Sequence, residues 1–435
     1  MFKKIKISVV FISLLLVSYG LAAGLLKMAS ANTDIYTSLS VFTSVLDRIQ
    51  DDYVEVPDMD KVLKGAIQGM MEAVDPYSSF VDGRTYAEVM TVDRDAGIGV
   101  ELAKRYGYVY LVSAERGSPA AESGLRSGDL IESIGGVPTG TMSLWEAENR
   151  LRGPEGTTID IRAIRTRMQS PLELTIERAS FTDDQVSVRV LDGDVGLIRI
   201  PDFKEGTEPE LAAGIKKLVS SDVHGLIIDL RDAFRGELDE AVKAADLFLD
   251  DDATIVKITI KEREVEVISA TQGSLVPGIP QVMLVNGGTS GAAEVFIAAL
   301  VDNGKAQTLG SKTEGKGSIQ QKLPLESNAF LFLSRELLVR PNGEPIQNKS
   351  FRESGINPDN TSPERDFITD FTIEHGPQGR DEELGVDFFR KLDAAIAEEQ
   401  LKTARELVRD LIDNPDKVDS AQKADQGAEK KAMAA

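Results

Sequence analysis

The chain has no cysteine, only two histidines and one tryptophan in 435 residues, and it is poor in positive charge, with 49 Lys and Arg against 71 Asp and Glu. The missing cysteines exclude disulfides, thiolate zinc sites, iron–sulfur ligation and cysteine nucleophiles together. Two isolated histidines, His224 and His375, offer no spacing for a metal site. A net charge of −22 disfavours phosphodiester partners, because such a surface repels them before any motif is considered. What remains for chemistry is Ser, Lys, Asp, Glu and backbone amides.

Enough apolar residues are present, 42%, to build real cores, and the length corresponds to about three domains. Met1 to Ala31 has the pattern of a secretory leader. Lys3, Lys4 and Lys6 precede an apolar run from Ile7 to Leu26, and Ala29, Ser30 and Ala31 offer small residues for cleavage. The run is also long enough for a retained signal anchor, so the bulk is expected on the extracytoplasmic side, periplasmic or membrane-anchored. Removal of the leader would take four lysines and no acid, leaving −26.

Between residues 36 and 92, apolar positions recur at helical spacing, Leu39, Phe42, Leu46 and Ile49 and then Met59, Val62, Leu63, Ala66, Ile67 and Met70, until Asp75-Pro76 stops the pattern. From 93 to 179 the pattern changes to short β-type runs at Tyr108–Val112, Asp129–Ile134 and Thr158–Arg162, with helical pieces at Ala120–Ser123 and Ser143–Leu151. From 180 to 380 strands and helices alternate. Val195–Ile200, Gly225–Leu230 and Gln281–Val285 are near-continuous apolar runs, as expected of strands covered on both faces, and Glu208–Val219 and Glu237–Leu249 are amphipathic. A helix is expected over 381–413, and the residues from 414 to 435 have little to bury.

The stretch Gly97-Ile98-Gly99-Val100, followed by Gly117-Ser118-Pro119-Ala120-Ala121-Glu122-Ser123-Gly124-Leu125-Arg126-Ser127-Gly128-Asp129, resembles a PDZ domain. The resemblance implies that the loop from Gly97 to Val100 turns amides toward a peptide C-terminal carboxylate, and that the next strand accepts the peptide as an added strand.

A second stretch carries the chemistry. Val285-Asn286-Gly287-Gly288-Thr289-Ser290-Gly291-Ala292-Ala293-Glu294 joins a buried strand to a helix through glycines, and Gly315-Lys316-Gly317-Ser318-Ile319-Gln320 follows. Read alone, this pattern is compatible with a Ser–Lys hydrolase, although strand, turn and helix of this kind belong more often to inert α/β units. Together with Asp75-Pro76-Tyr77-Ser78-Ser79, Asp229-Leu230-Arg231 and Pro341-Asn342-Gly343, it is similar to the C-terminal processing peptidases, also called tail-specific proteases, over most of residues 36–360. The fold class implied is a mixed α+β and α/β multidomain chain: an N-terminal helical unit, a PDZ domain and an alternating core of the crotonase/ClpP-like processing-peptidase kind.

The resemblance assigns the catalytic lysine to Lys316 and its positioning glutamine to Gln320. Its serine, in a Gly-Ser/Thr-Ala-Ser-Ala-Ser-Glu pattern, falls on Gly291, which has no side chain. Its oxyanion region falls on the amides near Gly236 and Ala292, but Arg235 stands where the family has a glycine. Ser290 then reads either as an N-cap of the following helix or as a shifted nucleophile for Lys316. Two functions follow: an impaired or inactive homologue that binds polypeptide C-termini, or an active endopeptidase using Ser290. The expected partners are unfolded or C-terminal polypeptide segments, an active relative or adaptor, and a second copy in a homo-oligomer. No cofactor, metal or nucleic acid is implied, and membrane contact only through the N-terminal segment.

Overall fold

The computed structural model describes residues 36–166, 168, 170–180, 185–191, 194–348, 353–362, 386–415 and 417. The leader at Met1–Ala31, His375, Leu384 and, Lys417 apart, the tail from Asp416 lie outside the described residues. Two compact units divide between Ala66 and Ile67. In the first, helix α1 (36–52) is followed by the opening turns of α2 (Met59–Val74), where the Asp58 carboxylate accepts the Lys61 N–H at 3.1 Å. The second begins within α2. After that helix, the Asp75 carboxylate accepts the Tyr77 and Ser78 amides, which satisfies the turn that Pro76 forces.

The next elements are β1 (Ser79–Val81), α3 (Gly83–Met90), β2 (Val100–Arg105), β3 (Tyr108–Ala114), α4 (Pro119–Ser123), β4 (Leu130–Ile134), β5 (Val137–Pro138), α5 (Leu144–Arg150), β6 (Thr158–Ile164) and β7 (Leu172–Glu177). An antiparallel sheet runs β2-β3-β4-β6-β7, with β5 paired to β4, so β2 is an edge strand and α5 packs beside it. Both short helices carry the caps their sequences announce: Ser118 accepts the Ala121 N–H and Ser143 the Glu146 N–H. This sheet closes over its own core of Ile98, Leu102, Leu111, Ile131, Ala147 and Ile161.

The remaining elements are β8 (Ser187–Leu191), β9 (Val195–Arg199), β10 (Asp202–Phe203), α6 (Thr207–Ser220), β11 (Gly225–Asp229), β12 (Arg235–Gly236), α7 (Leu238–Asp246), β13 (Thr254–Ile260), β14 (Arg263–Ser269), β15 (Gln281–Val285), α8 (Ala292–Asp302), β16 (Gln307–Gly310), β17 (Ser318–Pro324), β18 (Phe330–Val339), β19 (Asn360–Thr361) and α9 (Val386–Asp413). One sheet has the order β19-β16-β15-β11-β9-β8, parallel except for β8 against β9. Its strands alternate as extended chain must. Leu197, Ile227 and Leu284 pack with Ala404, Val408 and Leu411 of α9, while Ile198, Ile228 and Met283 pack with Leu211, Ala241 and Phe296 of α6, α7 and α8. Cover on both faces is the reason the middles of these strands are apolar without alternation. A second, antiparallel sheet runs β1-β18-β13-β14 with β17 on β18; β10 and β12 form a separate parallel pair.

The parallel order places three turns at one sheet edge. β11, β15 and β16 are neighbours pointing the same way, so Asp232–Gly236, Gly287–Gly291 and Ser311–Gly317 emerge together at their C-terminal ends, where open α/β sheets characteristically build sites. Cross-links fix them: the Ser290 amide donates to the Ala233 carbonyl at 3.0 Å, and the Glu314 amide to the Thr289 carbonyl at 3.0 Å.

Glu294, wholly buried in the first turn of α8, is the main fastener. One carboxylate oxygen accepts the Thr313 hydroxyl and the Gly315 N–H at 2.7 Å; the other accepts the Gly291 N–H at 3.0 Å and the Lys316 N–H at 2.8 Å. Burial pushes its carboxyl up to about 7 against those four hydrogen bonds. Glu294→Gln would turn an amino group onto two of these donors and leave them unsatisfied, at about 1–3 kcal/mol each. Thermal unfolding of that variant is expected well below the parent; an unchanged midpoint would refute the role given to Glu294.

Candidate active site

Gly291 ends the turn after β15 and is the N-cap of α8, with φ 65° and ψ −121°. Side chains rarely adopt this backbone, which is of the strained strand-to-helix kind that lifts a nucleophile clear of a sheet. There is room for one. A Cβ built on Gly291 meets nothing nearer than the Phe234 carbonyl oxygen at 3.9 Å, and Gly291 is only half-buried.

Ser290 fits neither role the sequence offered it. The N-cap is Gly291, because the positive-φ turn moves the helix start one residue on, and Glu294 takes the Gly291 amide. The Ser290 side chain is wholly buried, and its hydroxyl makes no hydrogen bond among the described residues. The expected reach from Ser290 to Lys316 is therefore not made. A one-residue shift along this turn points the hydroxyl into the interior instead of toward the open side.

Lys316 leaves the third turn and meets the PDZ-like sheet. Its ammonium bonds the carboxylate of Glu101 on β2 and lies 5.7 Å from the centre of the Tyr77 ring. Burial would lower the pKa of this lysine, but Glu101 and then Glu148 outweigh burial and raise it above the usual lysine range. The ion pair with Glu101 thus favours the ammonium form of the nitrogen. Glu148, on α5, is pushed up to about 7 by burial, with Lys316 opposing the shift. Gln320 is exposed on β17, and among the described residues it makes no hydrogen bond to Lys316.

The residues assigned to the oxyanion region lie on β12 and at the start of α8. Gly236 keeps φ 129° beside β10, and a side chain there would meet the Phe203 backbone at 2.6 Å. Arg235 takes a strand conformation without positive φ, and its guanidinium pairs with Glu115, just after β3, at 2.7 Å. Ala292, the other assigned residue, is buried at the start of α8. The Gly97 amide of the carboxylate loop donates to the Ala179 carbonyl at 3.3 Å, so the amides from Ile98 to Val100 are the ones left to consider for a peptide terminus.

Sequence reasoning missed the residues that join the two sheets. Glu314, buried, accepts the Tyr110 hydroxyl at 2.7 Å and the Tyr77 hydroxyl at 3.3 Å and pairs with Arg105. The Ser113 hydroxyl donates to Asp232 at 3.1 Å. With Glu101–Lys316 and Glu115–Arg235, the first and third of the three turns are engaged by β2, β3 or the residue after β3. The available signal was Glu101 itself, a carboxylate directly after the Gly97–Val100 loop, where a groove for apolar tails does not call for one.

Comparison with known proteins bears on what such a site belongs to. The model for peptidase family S41 matches residues 194–362, that for a PDZ domain residues 110–165, and that for the activating protease CtpB N-terminal domain residues 22–85. The carboxy-terminal-processing protease of Bartonella bacilliformis is 33% identical over 78% of this chain and 79% of that protein. The carboxy-terminal processing protease CtpA of Bacillus subtilis is 30% identical over 75% of this chain and 70% of its own length. Among solved structures, a photosystem II D1 C-terminal processing protease shares the fold, with a TM-score of 0.61 at 22% identity over 74% of this chain and 86% of that one. With a PDZ sheet bonded to two turns of a parallel core, and relatives matched over most of their length, the chain belongs to the carboxy-terminal-processing proteases of peptidase family S41.

Proposed function

We propose that this chain is an exported, non-cleaving member of its family that binds polypeptide C-termini through the PDZ domain, alone or beside an active relative or adaptor. The observation that carries this reading is the pairing at the reaction centre: position 291 has no side chain, and the lysine that should take its proton is an ammonium bonded to Glu101. A Ser–Lys mechanism needs a hydroxyl and a neutral amine in contact, and this site supplies neither. The alternative endopeptidase would have to draw its nucleophile from Ser290, which has no access to solvent and no bond to the lysine. Export rests on the leader pattern and the acidic balance of the remainder.

Binding requires only parts that are in place. β2 is an edge strand free to accept an added one, and positive φ at Gly99 is what a loop turning amides onto one anion demands. A peptide with a free C-terminal carboxylate should bind the full chain, and amidation of that carboxylate should weaken binding in a titration; equal affinity would remove the carboxylate loop from the account.

Cleavage of an unstructured protein should be absent in the parent and in Ser290→Ala alike. In Gly291→Ser alone it should stay absent, because Lys316 remains paired with Glu101 and a hydroxyl supplies only half of the Ser–Lys pair. The same variant should be destabilised by about 1–3 kcal/mol, from the left-handed backbone. Parent activity abolished by Ser290→Ala would overturn the proposal.

A further inference from the structure

We propose that the peptide groove of this PDZ domain selects polypeptide tails with a lysine or arginine close to the C-terminus, through Glu101 and Glu148, and that Lys316 fills the place of that side chain in the unliganded molecule. The proposal rests on the PDZ binding reading given above and specifies its substrate class.

The groove lies between the edge strand β2 and helix α5, and each wall supplies one carboxylate, Glu101 from β2 and Glu148 from α5. Neither is paired within the groove's own walls. The cation they share, Lys316, comes from the other sheet system, 215 residues away in sequence from Glu101. Arg152, beyond α5, is the other cation that Glu148 feels. An apolar groove would need no acid, and two acids facing one another repel unless a cation sits between them.

Extended peptide added to β2 runs past Glu101, and alternate side chains of that peptide face the groove walls. A lysine or arginine on such a strand has the reach and charge to take the position of the Lys316 ammonium. A glutamate there would meet two carboxylates. A register shift follows Glu101 in the β2–β3 pairing, which breaks the regular alternation at this residue. Exchange of one cation for another also leaves the acids compensated throughout, so binding a basic tail does not expose a buried charge, whereas displacement of Lys316 by an apolar tail does.

The test uses the full chain and fluorescence anisotropy with labelled peptides that have the same apolar C-terminal residue and a free carboxylate, and differ only in carrying Lys or Glu at the second and third positions from the end. The Lys peptide should bind about tenfold tighter or more than the Glu peptide, as expected for a close, partly desolvated charge pair. Glu101→Gln with Glu148→Gln should reduce that preference to within about twofold. Lys316→Gln, which removes the internal competitor, should tighten the Lys peptide and leave the Glu peptide no better bound. Equal affinity of the two peptides for the parent overturns the preference while leaving C-terminal binding intact. A weaker Lys peptide in Lys316→Gln overturns the exchange. Failure of every free-carboxylate peptide to bind, or binding indifferent to amidation, rejects the PDZ reading and the preference with it.

Discussion

The site hangs on one buried carboxylate. Glu294 accepts four hydrogen bonds from two turns, from the Gly291 cap in one and from the Thr313 hydroxyl and the Gly315 and Lys316 amides in the other, and so fixes Gly291 relative to Lys316. Its cost is desolvation, which raises its carboxyl to about 7; its return is that two turns from neighbouring strands move as one. The scaffold around Gly291 is therefore held by Glu294 and does not depend on a side chain at position 291.

The electrostatics of the upper face follow from the same placement. Two cations from the core, Lys316 and Arg235, and one anion, Glu314, are met by Glu101, Glu115 and Arg105 on or beside β2 and β3. These pairs are half-buried, where a charge left alone costs more than a pair is worth. The PDZ sheet thus keeps the lysine protonated merely by resting where it does, and the departure at Arg235 adds a further pair at the position where a glycine would have left space.

Much of this fold was legible from apolar patterning. The runs at Val195–Ile200, Gly225–Leu230 and Gln281–Val285 are β9, β11 and β15, since strands covered on both faces need no polar alternation. The antiparallel sheet was not read, because strands such as Arg263–Ser269 are largely exposed and mix charge with β-branched residues, and their pairing is set by distant chain. At the site, the frame of Gly288 and Glu294 assigned the nucleophile position to Gly291, which is the N-cap of α8, whereas serine before an apolar helix suggested a cap at Ser290. A positive-φ turn moved the cap by one residue and sent the hydroxyl inward. The partner of Lys316 was out of reach of any local rule, as Glu101 belongs to another sheet.

That the reaction centre holds no usable nucleophile is the claim on which the account stands, and covalent labelling addresses it most directly. The intact mass of the purified chain would be measured after incubation with a serine-directed fluorophosphonate, which phosphonylates an activated hydroxyl and expels fluoride. The account predicts an unchanged mass. One equivalent of adduct, mapped to Ser290 by peptide sequencing, would contradict it.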